Sequence, residues 1–287
     1  MPLTRPIAKG ETFRPKKSLG QNFLCDAKII QEIVRLSGFL PSDAVLEIGP
    51  GQGALTLPLS RTVGHVVAVE KDARLFDLLK RKLSILAISN VTLVNHDILS
   101  FDLNLHRPRY WPAEGIRLIG NLPYNISSPF LEKLIENRES VSRAVLMFQI
   151  EVARRLTASP CTKAYGALTL LVQYHAKTRC LLEVSKGAFY PKPKVDSMVV
   201  ELDFERPYPR RAEQEDHFRR LVKGAFAHRR KTLQNSLKGA FPSLNREGLA
   251  REIKACGIDP NRRAETLNMD EFLSLTALPA IDKGIME

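Results

Sequence analysis

The chain reads as an α/β protein whose sheet is parallel and doubly wound, followed by a smaller, all-helical and strongly basic domain. Three observations predict this. Short apolar runs alternate with helical periodicity as far as residue 204; a glycine cluster follows the first of those runs; and periodicity beyond residue 206 is helical only.

Asp26 is placed to cap a helix bearing Ile29, Ile30, Ile33 and Val34 on one face and ending near Gly38. Ala44 to Ile48 is a short buried strand that runs into Gly49-Pro50-Gly51-Gln52-Gly53. A helix is expected from about Leu55, a strand from His65 to Val69, a helix from Asp72 to about Leu83, and a strand from Val91 to Val94. Ile116 to Ile119 and Ala144 to Phe148 continue the strand series, with a helix from Pro129 to Glu136 between them. A helix near Gly166 to Tyr174 precedes a strand from Arg179 to Val184 and the run Val195 to Phe204. No long helix separates those last two runs, so the final strand is expected to return antiparallel.

Arg206-Pro207-Tyr208-Pro209-Arg210 reads as a linker. Past it, Phe218, Leu221, Val222, Ala225 and Phe226 form one helical stripe, and further helices are expected around Asn245 to Cys256 and Met269 to Leu278. The expected division is therefore residues 1–205, with a basic N-terminal arm over about 1–17, and residues 206–287.

The 287 residues carry a net charge of +12, and the excess is uneven. Between Arg206 and Arg263, fifteen Lys and Arg stand against six Asp and Glu. Such a cluster, with Arg229-Arg230-Lys231 at its densest point, is the electrostatic footprint of a nucleic-acid surface. No run approaches the roughly 18 apolar residues that a membrane span requires. The N-terminus is basic and lacks an apolar stretch, so no secretory signal is expected and a cytoplasmic location is. Cys25, Cys161, Cys180 and Cys256 have no CxxC spacing, so neither disulfides nor a metal site is expected.

The chemistry concentrates at the carboxyl ends of the strands. Gly49, Gly51 and Gly53 let backbone approach a ligand closely, and with Ala54 they satisfy the pattern G-x-G-x-x-A. Glu70, with Lys71 directly after it, ends the next strand, where a carboxylate can take both hydroxyls of a ribose. Glycines and acid fit NAD and S-adenosylmethionine equally. Asp97 follows the third strand, placed to accept an adenine amino group while Ile98 packs on the ring.

The fourth strand end separates the two cofactors. A dehydrogenase needs a proton-transfer group there, and the chain offers Asn121-Leu122-Pro123-Tyr124 instead. Pro123 stiffens the turn and keeps Leu122 out of helical geometry. The Asn121 side-chain oxygen and the Leu122 carbonyl can accept the two protons of an aromatic amine, and Tyr124 can stack on its ring. An adenine amino group is a poor nucleophile because its lone pair is delocalised; holding it pyramidal in this way favours alkylation without a strong base.

Four separated blocks carry a resemblance to a known family. They are Lys17-Ser18-Leu19-Gly20-Gln21-Asn22-Phe23-Leu24, Glu47-Ile48-Gly49-Pro50-Gly51, Gly120-Asn121-Leu122-Pro123-Tyr124-Asn125-Ile126-Ser127 and Tyr190-Pro191-Lys192-Pro193-Lys194-Val195-Asp196-Ser197. The sequence resembles the bacterial small-subunit ribosomal RNA adenine dimethyltransferases, the kasugamycin-sensitivity family. The resemblance implies a seven-stranded Rossmann-like class I methyltransferase domain with a helical C-terminal domain. The implied activity is S-adenosylmethionine-dependent dimethylation of two adjacent adenosines near the 3′ end of 16S rRNA, on an assembling small subunit; a monomer is expected. It also implies that Gln21, Asn22 and Leu24 close over the cofactor, and that Phe189 faces Tyr124 across the target base. Read alone, the first three form a loop and Phe189 is a core residue at a strand end. Two alternatives stay open: a large-subunit adenine methylase of the macrolide-resistance type, and an assembly factor that acts by binding alone.

Overall fold

A computed structural model of the chain describes residues 15, 20–104, 111, 115–241 and 245–278; nearly all of the N-terminal arm lies outside them. Two compact units emerge. The first comprises residues 1–153 and 177–205, the second residues 154–176 and 206–287. The expected boundary at 205/206 is therefore one of three crossings, because the segment from Arg154 to Ala176 belongs to the second unit. The reason is apolar: Tyr165, Leu170 and Tyr174 in that segment are buried with Phe218, Leu221, Val222 and Phe272. The Tyr165 hydroxyl also donates to the carbonyl of Leu267 at 2.8 Å.

The first unit is built on a seven-stranded sheet in the order β4-β3-β2-β5-β6-β9-β7. These strands are β2 (Ala44–Ile48), β3 (His65–Glu70), β4 (Val91–Asn95), β5 (Ile116–Asn121), β6 (Val141–Gln149), β7 (Lys177–Val184) and β9 (Ser197–Asp203). β4, β3, β2, β5 and β6 run parallel. As expected from the missing crossover helix, β9 is antiparallel to β6, and β7 is antiparallel to β9. The strand order reverses direction of growth between β2 and β5, and their carboxyl ends therefore open a crevice of the kind in which doubly wound sheets bind ligands.

Helices α1 (Ala27–Ser37), α2 (Thr56–Leu59), α3 (Ala73–Ile85) and α4 (Ser127–Glu136) follow successive strands or loops. The Asp26 carboxylate accepts the amide protons of Lys28 and Ile29, and Gly38 closes α1 in the left-handed conformation. One element was not foreseen. Phe23–Leu24 forms a short strand, β1, paired antiparallel with β8 (Phe189–Tyr190) outside the main sheet. Two residues of extended chain carry too little periodicity to be read from sequence.

The second unit is helical among its described residues: α5 (Ile150–Leu156) enters it, and α6 (Ala167–His175), α7 (Glu215–Phe226), α8 (Leu233–Leu237), α9 (Arg246–Ala255) and α10 (Met269–Ser274) build its core. Asn268 and Glu271 cap α10 reciprocally.

Candidate active site

The carboxyl ends of β2, β3 and β5 open onto a cavity of about 500 Å³ in the first unit. Every cofactor residue expected from the sequence lines it: Gln21, Asn22, Leu24, Gly49, Gly51, Gly53, Glu70, Lys71, Asp97, Ile98 and Asn121, together with Leu122, Pro123 and Tyr124.

The glycine turn is set by backbone geometry. Gly51 and Gly53 sit at φ of +57° and +85°, where L side chains are strained. A Cβ on Gly53 would stand 2.7 Å from the Leu79 side chain, and one on Gly51 would press on the ring of Phe23 at 3.2 Å. The turn thus fits tightly between α3 and β1, leaving its amides near the cavity.

Glu70 locks this turn to the next one. One carboxylate oxygen accepts the Gly51 amide proton at 3.0 Å, and the other accepts that of Asp72 at 2.8 Å. Each oxygen keeps lone-pair capacity for a further donor, as a ribose diol supplies. Burial pushes the Glu70 carboxyl above its ordinary range, against the lowering effect of those two amides.

Glu47, an acid in the otherwise apolar strand β2, is 1% exposed, and its Oε2 has no hydrogen-bond partner among the described residues. Burial, with the nearby Glu70 charge adding to it, drives its carboxyl up to about 8. Glu47 and Glu70 thus stand as neighbouring carboxyl groups on the cavity wall. The one sequence signal for Glu47 is a lone charge within a buried strand. Lys82, whose ammonium donates to the Gln52 carbonyl at 3.2 Å, also lines the cavity and carried no signal.

Lys71 and Asp97 form an ion pair at 2.6 Å, and the Leu99 amide caps the other Asp97 oxygen at 3.0 Å. Burial opposes ionisation of Asp97, but these partners hold its carboxyl below the usual range. Gln21 reaches from the N-terminal segment to the Asp72 carboxylate at 3.1 Å, so that segment is pinned beside Glu70.

At the end of β5, the Asn121 side-chain NH₂ donates to the Asn22 carbonyl at 3.0 Å. A carbonyl can only accept, so this contact fixes which way the amide faces. The Asn121 oxygen is left as an acceptor at the cavity wall. Leu122 is buried, and the half-buried Tyr124 is held by its hydroxyl, 3.1 Å from that of Ser197 at the start of β9.

Phe189 is 5% exposed, packed in the core with Leu24, Val184 and Val199, and is not among the residues lining the cavity. Leu24, which does line the cavity, lies directly opposite Phe189 in the β1–β8 ribbon, so the two side chains share one face.

In the second unit, Arg229, Arg230 and Lys231 are all exposed, but they are not equivalent. Arg229 pairs with Glu265 at 2.9 Å and donates to the Lys163 carbonyl, so it ties two loops of its own unit together.

Comparison with known proteins resolves the choice left open by the glycine turn. Residues 12–280 match the family model described as ribosomal RNA adenine dimethylase. The chain belongs to that family. The ribosomal RNA small subunit methyltransferase A of Desulforapulum autotrophicum is 43% identical over 94% of both chains. That of Geobacter metallireducens is 44% identical over 93% of this chain and 96% of its own. Among solved structures, a dimethyladenosine transferase from Plasmodium falciparum superposes with a TM-score of 0.72 at 26% identity, covering 87% of this chain and 94% of that one. The 23S rRNA methyltransferase ErmE superposes at 0.69 and 25% identity, over 89% and 98% respectively. The first unit is thus a class I methyltransferase fold, and as a member of this family the chain is an rRNA-modifying methyltransferase.

Proposed function

We propose that the chain uses S-adenosylmethionine to dimethylate the exocyclic amino groups of two adjacent adenosines near the 3′ end of 16S rRNA, in the assembling small subunit. The observation that carries this reading is the orientation of Asn121. Its NH₂ donates to the Asn22 carbonyl, which sets the amide oxygen on the other side as an acceptor for an amino group.

Residues of the cavity wall support this cofactor. Glu70 retains acceptor capacity for the ribose, Asp97 and Ile98 line the same cavity and would take the adenine, and a cationic ligand would favour the ionised forms of Glu47 and Glu70. When bound, S-adenosylmethionine supplies an electrophilic methyl group on a sulfonium cation.

The chain's own part is to prepare the nucleophile. Asn121 and the Leu122 carbonyl take the two amino protons and draw the nitrogen towards pyramidal geometry. Tyr124, steadied by Ser197, offers its ring face to the unstacked base, offsetting part of a flipping cost of a few kcal/mol. The alkylated nitrogen is acidic and releases its proton without a strong base.

Exposed cations of the second unit, Arg230 and Lys231 among them, would contact rRNA phosphates and contribute affinity rather than base choice. The small-subunit reading is favoured over the large-subunit one because relatives named for the small subunit reach 43–44% identity, against 25% for ErmE. We place the enzyme in the cytoplasm, acting as a monomer; no helix among the described residues is long and apolar enough to cross a membrane. The test is incubation with radiolabelled S-adenosylmethionine and undermethylated small subunits, followed by nucleoside analysis. Labelled N6,N6-dimethyladenosine is expected. Binding to the subunit without transfer would overturn the reading in favour of an assembly factor.

A further inference from the structure

Tyr190 is 65% exposed, and Val195, in the same segment, is 39% exposed. An exposed aromatic ring offers a planar face on which a base can stack. The ribbon explains where this one faces. Phe23 and Tyr190 are direct antiparallel partners, so their side chains share one face, opposite to the face that sends Leu24 and Phe189 into the core. Phe23 lines the cavity and lies against Gly51. Tyr190 therefore shares the ribbon face that Phe23 turns to the glycine turn, and it is itself open to solvent.

The segment beyond it is firmly held. The Asp196 carboxylate accepts the Lys186 amide proton at 2.8 Å, its carbonyl accepts that of Ile150 at 3.0 Å, and Ser197 meets the Tyr124 hydroxyl. Pro193 is buried, whereas Lys192 and Lys194 are exposed on either side of it. An aromatic ring followed by two exposed cations, on a segment anchored to the residue that would stack on the target base, is the composition that single-stranded nucleic acid recognises.

We propose that Tyr190 is a stacking platform for the base that adjoins the target adenosine, with Lys192 and Lys194 beside the intervening phosphates. The proposal rests on the adenine-methylating function above. Because the two targets are neighbours, holding one base on Tyr190 sets which adenosine enters the cavity and keeps its partner in reach for the next transfer. Tyr190 is thus a positioning residue, acting on the RNA strand and not on the reacting atoms.

The test compares the unaltered protein with Tyr190→Ala, Tyr190→Leu and Tyr190→Phe on undermethylated small subunits with radiolabelled S-adenosylmethionine. Loss of base–aromatic stacking is expected to lower kcat/KM for the subunit by roughly 5- to 150-fold in the Ala and Leu variants, mainly through KM. The Phe variant is expected to restore it, and cofactor affinity by equilibrium dialysis is expected to be the same in all four. Equal kcat/KM in the Ala variant and the unaltered protein would overturn the proposal while leaving the methylation reading intact. A Leu variant as active as the Phe variant would also overturn it, pointing to an apolar protein contact instead. Failure of the unaltered protein to methylate adenine would overturn both.

Discussion

The Asn121 side-chain amide and the Asn22 carbonyl, ninety-nine residues apart in sequence, meet at 3.0 Å at the cavity wall. The contact joins the turn after β5 to the N-terminal segment and orients the amide at once. On the proposed mechanism, Asn121→Ala removes the acceptor for the substrate amine and also frees the Asn22 carbonyl. Single-turnover methyl transfer is expected to fall by about 100-fold or more, the scale for losing one preorganised polar group. Cofactor affinity is expected to fall only about fivefold, the scale of one ordinary hydrogen bond. A normal single-turnover rate in this variant would sink the assigned mechanism.

Glu70 joins the glycine turn to the start of α3 through two amides, so its loss acts on shape as well as on ligand contacts. Glu70→Ala leaves the Gly51 and Asp72 amides without this acceptor and, on the proposed reading, removes the partner of the ribose. Affinity for S-adenosylmethionine, measured by calorimetry, is expected to drop roughly 10- to 100-fold, the range for hydrogen bonds to a charged group. A dissociation constant within twofold of the unaltered protein would show that the ribose lies elsewhere.

Most of the sheet and most of the cavity were legible because their signals are local. Ala44 to Ile48 reads as a buried strand from five residues, and Gly49, Gly51, Glu70, Asp97 and Asn121 each fall at a strand end that periodicity locates. What was not legible depends on contacts distant in sequence. The pairing of Phe23 and Leu24 with Tyr190 and Phe189 decides which aromatic faces the core, and nothing within either dipeptide reveals it. The segment from Arg154 to Ala176 joins the second unit through Tyr165 and Tyr174, whose partners lie beyond residue 206. Arg229 looked like its neighbours until its ion pair with Glu265 was seen.

Glu47 gives the protein a stability term that depends on pH. Its folded carboxyl is raised to about 8 from an ordinary value of 4.5, so the folded state holds a proton that the unfolded state has already released. The contribution is fully present below about pH 4.5 and is lost as pH rises through about 8. Denaturant midpoints are therefore expected to decline over that window, and Glu47→Gln, which cannot ionise, should flatten the decline. Binding a cation beside Glu47 favours its ionised form, so S-adenosylmethionine uptake at pH 7 is expected to release a proton. Calorimetry in buffers of different ionisation enthalpy reads that release directly; a binding heat independent of buffer in both proteins would refute the coupling.

The basic residues 229 to 231 of the second unit separate into one cation engaged within the fold and two that are simply exposed. Arg229 is engaged with Glu265 and the Lys163 carbonyl, so Arg229→Glu is expected to lower the thermal midpoint of that unit as well as its affinity. A loss of binding in that variant says little about RNA. Arg230 and Lys231 are both exposed beside it and make the cleaner test. Reversing both should weaken association with the small subunit while the thermal midpoint stays put. The slope of log affinity against log salt should become shallower by about 1.5, since each phosphate contact contributes roughly 0.7 to 0.9. Methyl transfer at saturating subunit should persist, since the proposed role of these cations is affinity and not chemistry. If the slope is unchanged, the two cations are solvated in the complex and the phosphate contacts lie on another face of the unit.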